Sequence, residues 1–364
     1  MFTAADYTHM AQALRLAERG LWTTDPNPRV GCLIVRDDEL VGEGWHECAG
    51  EPHAEVNALR QAGDRARAAT VYVTLEPCSH HGRTPPCAEA LLNAGVARVV
   101  AAMVDPNPNV SGEGLALLEQ AGIETSVGLL EAEARQLNPG FISRFTRGRP
   151  YVRCKLAMSL DGRTALASGE SKWITGEAAR DDVQRLRARS SVIVTGINTV
   201  LADDARLSAR VEGTVKQPDR VVLDSTLRIA PTAQVLQQAG QSWIATASHD
   251  TVKRQSLQQV GAKLLDLPVV NDELDLHALL QQLNELQYNE VLIEAGPTLS
   301  GAFLEAGLID ELVIYMAPHL LGDSAHGLIH LPLLEKMEQR VALELKDMRQ
   351  VGDDIRLIFK PQRT

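Results

Sequence analysis

The stretch His53-Ala54-Glu55, followed by Glu76-Pro77-Cys78-Ser79-His80-His81-Gly82-Arg83-Thr84-Pro85-Pro86-Cys87, decides how the first half of this chain is read. A zinc deaminase needs one imidazole and two thiolates on the metal, with a carboxylate near the ion but not bound to it. His53, Cys78 and Cys87 supply three ligands and leave a fourth tetrahedral position for water, the mark of a catalytic rather than a structural site. His53 and Cys87 each open a helical pattern, and a helix N-terminus favours the thiolate form a metal requires. Glu55 stands two residues beyond His53 and is read as the proton carrier. His80 and His81 are read as loop residues, because the ligand quota is already filled. The generic spacing is Pro-Cys-x-x-Cys; here eight residues separate Cys78 from Cys87.

Outward from this stretch, the pattern is layered α/β. A helix over 53–62 stops at Gly63, a strand over 70–75 feeds the first cysteine, and a helix over 88–94 stops at Gly95. Strands are predicted at 30–35, 97–104 and 123–127, with a helix at 114–121. Tyr7, Met10, Ala11, Leu14 and Ala17 follow one helix face up to Gly20. The run Phe145-Thr146-Arg147-Gly148-Arg149-Pro150 reads as a linker, since Gly and Pro stop regular structure. A second α/β pattern then begins. Its strands are predicted at 151–158, 191–195, 220–223, 242–246, 290–294 and 311–317, and its helices at 177–189, 274–286 and 297–306. Segments 341–351 and 355–360 read as a closing antiparallel pair.

Length and composition set the limits. At 364 residues the chain is long enough for two domains, and 45% apolar with 23% charged residues is ordinary globular usage. No apolar run approaches the ~18 residues that span a membrane. The N-terminus lacks a basic flank before an apolar core, so no signal peptide is predicted. The net charge of −11 disfavours sequence-blind nucleic-acid binding, and the acidity is shared, −6 before residue 150 and −5 after it. Five cysteines are too few and odd in number for a disulfide framework, which points to a reducing cytoplasm. Cys32, Cys48 and Cys154 are read as bystanders of the metal site.

The long cysteine spacing resembles that of the riboflavin-biosynthesis pyrimidine deaminases. Pro26-Asn27-Pro28-Arg29-Val30-Gly31, Gly42-x-Gly44-Trp45-His46, Gly50-Glu51-Pro52-His53-Ala54-Glu55 and Asp105-Pro106-Asn107-Pro108 match that family in order. The resemblance implies a cytidine-deaminase-like domain over residues 1–146, a zinc-dependent pyrimidine deaminase. It implies a pyrimidinone substrate carrying its amine at C2 on a phosphoribosylamino scaffold. Asn27, His46 and Arg83 would then be its substrate-binding side chains.

The second half has no G-x-G-x-x-G after a strand, so a Rossmann domain is not supported. Glu294-Ala295-Gly296-Pro297-Thr298-Leu299-Ser300-Gly301 instead turns from a strand into a helix, exposing backbone N–H groups that suit a phosphate. With Lys155-Leu156-Ala157-Met158-Ser159-Leu160-Asp161-Gly162-Arg163, Ser171-Lys172-Trp173, Asn198-Thr199-Val200-Leu201-Ala202-Asp203-Asp204 and Leu223-Asp224-Ser225, it resembles the reductase half of the same family. That implies a dihydrofolate-reductase-like domain over residues 150–364 that uses NADPH. Ala157, Trp173, Thr199, Asp203, Ser225, Gly296, Pro297, Thr298, Leu299, Ser300, Gly301 and Ala302 would hold the cofactor. Ser171, Arg187, Leu207, Arg210 and Glu294 would hold the phosphosugar. Arg187 and Arg210 lie outside any ion-pair ladder legible in sequence, and Lys155 stands between apolar residues, where an unpaired lysine is costly.

The resemblance thus implies two steps. The first is hydrolytic deamination of 2,5-diamino-6-(5-phosphoribosylamino)pyrimidin-4(3H)-one. The second is hydride transfer from NADPH to the C1 carbonyl of the ring-opened ribosyl group, giving 5-amino-6-(5-phosphoribitylamino)uracil. Asp203, Lys155 and water stand as alternatives for the proton donor of the second step. The expected partners are this small molecule, no nucleic acid, no membrane, and further copies of the chain in a homo-oligomer. Two rival readings are a nucleoside or tRNA deaminase with an unrelated tail, and a binding protein with a closed structural zinc. The charge and the cysteine spacing oppose the first; Glu55 would have no use in the second.

Overall fold

Two units divide the chain in the computed structural model, Met1–Arg149 and Pro150–Thr364, and residues 1–79, 86–108, 110–213 and 216–362 are described. The first unit runs α1 (Ala4–Ala17), β1 (Gly31–Arg36), β2 (Glu39–Trp45), α2 (Ala54–Ala62), β3 (Thr70–Val73), α3 (Cys87–Ala94), β4 (Arg98–Ala101), α4 (Glu113–Gln120), β5 (Glu124–Val127), α5 (Glu131–Leu137) and α6 (Pro139–Arg147). Its sheet has the order β2-β1-β3-β4-β5. β1 is antiparallel to both neighbours, and β3, β4 and β5 are parallel. Phe145–Arg147, read as linker, are the last turn of α6, which ends at Gly148 with φ 65°. Its basic residues misled the reading: they sit where a helix C-terminus favours positive charge.

Two sets of contacts seat the helices of this unit on its sheet. α1 opens with a capping box between Thr3 and Asp6. Asp6 also accepts from Tyr72 of β3 and Arg98 of β4, each at 2.8 Å, so the helix is pinned to two strands. On β2, a Cβ added to Gly42 would lie 2.4 Å from the Ala58 carbonyl oxygen, and one on Gly44 would lie 2.5 Å from that of Ala54. Only glycine lets α2 seat flush on the strand, and that seat fixes the start of α2. Leu33, Ile34, Val71, Val73, Val99 and Leu118 are fully buried beneath it, each worth roughly 1.5–3 kcal/mol.

The second unit runs β6 (Tyr151–Ser159), β7 (Arg163–Ala165), α7 (Glu177–Arg189), β8 (Val192–Gly196), α8 (Ile197–Asp203), β9 (Asp219–Leu223), β10 (Ser242–Thr246), α9 (Thr251–Gln259), β11 (Lys263–Asp266), β12 (Val269–Val270), β13 (Glu273–Leu274), α10 (Leu276–Glu285), β14 (Glu290–Ile293), α11 (Pro297–Glu305), β15 (Glu311–Ala317), β16 (His326–Gly327), β17 (Leu343–Val351) and β18 (Asp354–Pro361). Nine strands form one sheet in the order β11-β10-β9-β8-β14-β6-β15-β18-β17. It is parallel from β11 to β15, and β18 and β17 close it antiparallel, as the sequence pattern predicts. The order reverses direction around β14. In such sheets ligands bind beyond the carboxyl ends of the strands at that switch. At the opposite pole Arg153, itself 2% exposed, meets Glu290 at 2.9 Å and Glu311, and Arg189 reaches Glu290 at 3.2 Å.

Candidate functional site

In the first unit the site grows from the end of β3 and the starts of α2 and α3. His53 is the extended residue that precedes α2, Cys87 is the first residue of α3, and Cys78 lies in the turn after β3. His53 Nδ1 stands 3.2 Å from Cys87 Sγ and 3.6 Å from Cys78 Sγ. One nitrogen and one sulfur on a tetrahedral zinc are about 3.6 Å apart. Among the described residues this is the one group of three or more His, Cys, Asp or Glu with donor atoms converging, all within 4.8 Å. The Cys87 N–H donates to Cys78 Sγ at 3.3 Å. The bond from the Cys87 thiol holds the Cys78 thiol below its usual value against the opposing pull of burial, and Cys87 is pushed up in exchange. A thiolate is therefore at home here, and the donor set fits zinc.

Glu55 lies in the first turn of α2 and is 3% exposed. Burial pushes its carboxyl up to about 7, while the attraction of His53 opposes the rise. Beside it, His46 Nδ1 meets the Pro52 carbonyl at 3.1 Å, and its Nε2 meets Asn27 Nδ2 at 3.0 Å. A carbonyl can only accept, so Nδ1 carries the proton and Nε2 accepts from the Asn27 amide. Burial keeps this imidazole below its usual pKa, consistent with the neutral ring. The His46 ring stands edge-on to that of His53, centroids 5.5 Å apart. Asn27, His46, His53, Glu55, Cys78 and Cys87 are thus gathered in one place. Arg83, His80 and His81 lie outside the described residues. Cys32 and Cys154 are buried in β1 and β6, and Cys48 is exposed; none joins the cluster.

In the second unit a cavity of about 350 Å³ opens at the carboxyl ends of β8, β9 and β14. Of the predicted cofactor residues, Thr199, Ser225, Gly296, Pro297, Thr298, Leu299 and Ala302 line it. Gly296 caps α11, and a Cβ there would meet open space, so the N–H groups of the first turn are accessible to a phosphate. Ala157, Trp173, Asp203, Ser300 and Gly301 are not on this wall. Trp173 is 70% exposed with the Arg180 guanidinium 4.6 Å over its ring, and Asp203 pairs with Lys172 at 3.2 Å. Ala157 lies in β6 opposite Tyr315. Ser300 is buried, and Gly301 abuts backbone, a Cβ there falling 1.8 Å from the His330 oxygen. Both shape the turn.

Arg187 does not stand outside an ion pair, although its place in the sequence suggests that it would. Its Nε and Nη2 grip Glu294 at 2.6 and 2.9 Å, and its Nη1 donates to the Ser208 carbonyl at 3.2 Å, next to Leu207. Lys155 Nζ is 3.8 Å from the same Glu294 carboxylate, so it too has a partner. Burial would raise the Glu294 pKa, but Arg187 and then Lys155 hold it down to about 2. Ser171 and Arg210 are exposed, and Leu207 is buried. The sequence reading missed Asn198, Asp272, Glu273 and Leu274, which also line the cavity. Asn271 and Asp272, both at positive φ between β12 and β13, form a two-residue hairpin turn whose Asn-Asp pair was a usable signal.

Residues 3–103 match the cytidine and deoxycytidylate deaminase zinc-binding region, and residues 150–357 match the RibD C-terminal domain. Fold and sites define a bifunctional deaminase and reductase. The chain is 53% identical to the Escherichia coli K12 riboflavin biosynthesis protein RibD, covering 96% of this chain and 98% of that one. The solved Acinetobacter baumannii RibD is 50% identical, with TM-score 0.93 and 99% of each chain covered. A solved Thermotoga maritima protein described as a diaminohydroxyphosphoribosylaminopyrimidine deaminase/5-amino-6-(5-phosphoribosylamino)uracil reductase is 30% identical, with TM-score 0.86, covering 98% of this chain and 99% of that one. The chain belongs to the RibD family of riboflavin biosynthesis. Its deaminase half is of the zinc-binding type and its reductase half is of the RibD type, which uses NADPH. No helix among the described residues is long and apolar enough to cross a membrane.

Proposed function

We propose that residues 1–146 deaminate 2,5-diamino-6-(5-phosphoribosylamino)pyrimidin-4(3H)-one to 5-amino-6-(5-phosphoribosylamino)uracil, and that residues 150–364 reduce that product to the ribityl compound. The observation that carries this reading is the convergence of His53, Cys78 and Cys87 with buried Glu55 two residues beyond His53 in the first turn of α2. These three ligands would hold zinc, which when bound supplies a Lewis acid and a nucleophile at neutral pH. Glu55 takes one proton from the attacking water and passes it to the ring nitrogen, then takes the second from the C2 hydroxyl so formed and gives it to the amine, whose C–N bond breaks as ammonia leaves and a carbonyl remains at C2. Asn27, oriented by His46, and Arg83 hold the pyrimidine and its phosphoribosyl arm.

In the reductase, NADPH supplies the hydride. The Gly296–Ala302 turn, Thr199 and Ser225 orient it, and the Arg187–Glu294 pair with Lys155 holds the sugar. Lys155 is favoured as proton donor over Asp203, because it is a half-buried ammonium steered by Glu294, whereas Asp203 is a surface carboxylate tied to Lys172. A cytoplasmic location fits the five free cysteines. A homo-oligomer fits edge strand β17, where Leu345 is 51% and Met348 65% exposed.

The test supplies the diamino substrate with NADPH and follows ammonia and 340 nm absorbance together. Both signals are expected, and E55A should abolish ammonia release while zinc stays bound. Given the deaminated intermediate, E55A should still oxidise NADPH. Deamination by E55A at the parental rate removes Glu55 from the mechanism; absence of NADPH oxidation with either substrate refutes the reductase reading.

A further inference from the structure

We infer that Glu76 is a positioning residue for the metal site, acting through Cys78 by clamping the ligand turn to Asp105, Gly112 and the first turn of α4. The inference rests on the ligand assignment proposed above. Glu76 is 3% exposed, and its carboxylate accepts four backbone N–H groups. Oε2 takes those of Asp105 at 3.1 Å and Gly112 at 2.9 Å; Oε1 takes those of Gly114 at 2.9 Å and Leu115 at 3.4 Å. Gly114 and Leu115 belong to the first turn of α4, whose N–H groups have no partner within the helix. The Glu76 N–H itself donates to the Met103 carbonyl at 3.0 Å.

Only Pro77 stands between this clamp and Cys78, and its ring fixes φ, so a displacement of Glu76 is passed on rather than absorbed. The other side of the turn is equally close. A Cβ on Gly114 would lie 1.9 Å from the Pro77 carbonyl oxygen, so α4 begins directly against it. Beyond the turn, the Cys78 carbonyl accepts the Ala88 N–H at 3.2 Å, and its sulfur accepts the Cys87 N–H. Glu76 therefore governs the place of one predicted ligand and, through it, the spacing to a second. It makes no contact with the reacting atoms in this role.

The experiment uses the full-length zinc-loaded protein with E76Q, which puts an amide N–H₂ where two N–H groups seek an acceptor. Groups that orient metal ligands typically carry about 10–100-fold in metal affinity. Zinc release to a chromogenic chelator should rise by that factor, and the thiolate-to-cobalt absorption of the cobalt-substituted protein should change. Reductase turnover on the deaminated intermediate should equal that of the parent. D6N, which loosens the same unit at α1, is the comparison and should leave zinc release unchanged. Release from E76Q at the parental rate overturns the proposal, as does an equal acceleration in D6N. If E76Q precipitates, E76D, which keeps the carboxylate and shortens its reach, carries the same comparison. A parental protein that takes up no zinc overturns the ligand assignment instead, a failure distinct from either.

Discussion

Replacing Arg187 by methionine removes the guanidinium that grips Glu294 and keeps a stem of similar reach. Arg187 is 14% exposed at its side chain and Glu294 7%, so the change strands a carboxylate in the interior with only Lys155 at 3.8 Å. Breaking a buried pair from one side costs about 3–5 kcal/mol. The same contacts set the Glu294 pKa: burial would raise it, and Arg187 first, then Lys155, bring it below the ordinary carboxylate value. For a unit of this size the lost pair lowers the melting temperature by about 10 °C. The sign follows from the direction. A depressed carboxylate pKa stabilises fully above about pH 4.5, and the stabilisation is lost as pH falls through about 2. R187M should therefore melt lower at pH 7 and show a flatter acid limb than the parent. Calorimetry across pH, with loss of deaminase activity marking the transition of the first unit and so assigning the other to the second, measures both. The double variant R187M/E294M should recover much of the loss, since an apolar pair strands no charge. Parental stability in R187M, or a double variant as unstable as the single, would refute this reasoning.

Other outcomes follow from the same geometry. G44A must displace the start of α2 by about 1 Å, since its Cβ would sit 2.5 Å from the Ala54 oxygen and 2.6 Å from the Ala58 nitrogen. Deaminase turnover should fall about 100-fold while reductase turnover is kept; a normal deaminase rate would show that α2 need not seat flush. D6N should lower the stability of the first unit by about 1–3 kcal/mol at neutral pH, measured by denaturant unfolding. Burial raises the Asp6 pKa, but Arg98, Thr3 and Tyr72 more than reverse that and hold it well below the carboxylate range. Its contribution is thus present above that range and fades in strong acid, so D6N and parent should converge there; a constant gap would contradict the assignment. Chelator treatment should stop ammonia release and leave NADPH oxidation of the deaminated intermediate intact, and loss of both together would argue against separate sites.

Much of this was legible in sequence where local physics governs. The helix from Ala54 to Ala62 announces itself by its periodic face and by Gly63, and α11 by its Gly-Pro start. β2 was missed because two of its seven residues are glycines and its first two face solvent, so no alternation survives. α9 was missed because Leu257 is its sole buried residue. The Arg187–Glu294 pair joins positions 107 residues apart, and only the sheet order brings them together. Glu76 stood inside the motif, yet nothing local reveals that its partners lie 29 to 39 residues downstream.

The charge cluster at the pole away from the cavity has an evolutionary consequence. Strands β14, β6 and β15 are apolar enough to slide past one another by two residues and still bury the same faces. A slide of β15 would part Arg153 from Glu311, its partner in register, and leave Arg153 to Glu290 alone. The cluster thus works as an alignment key for the three central strands. A key of this kind resists piecemeal drift: no member changes safely alone, so a descendant lineage would have to exchange several residues nearly at once or keep them all.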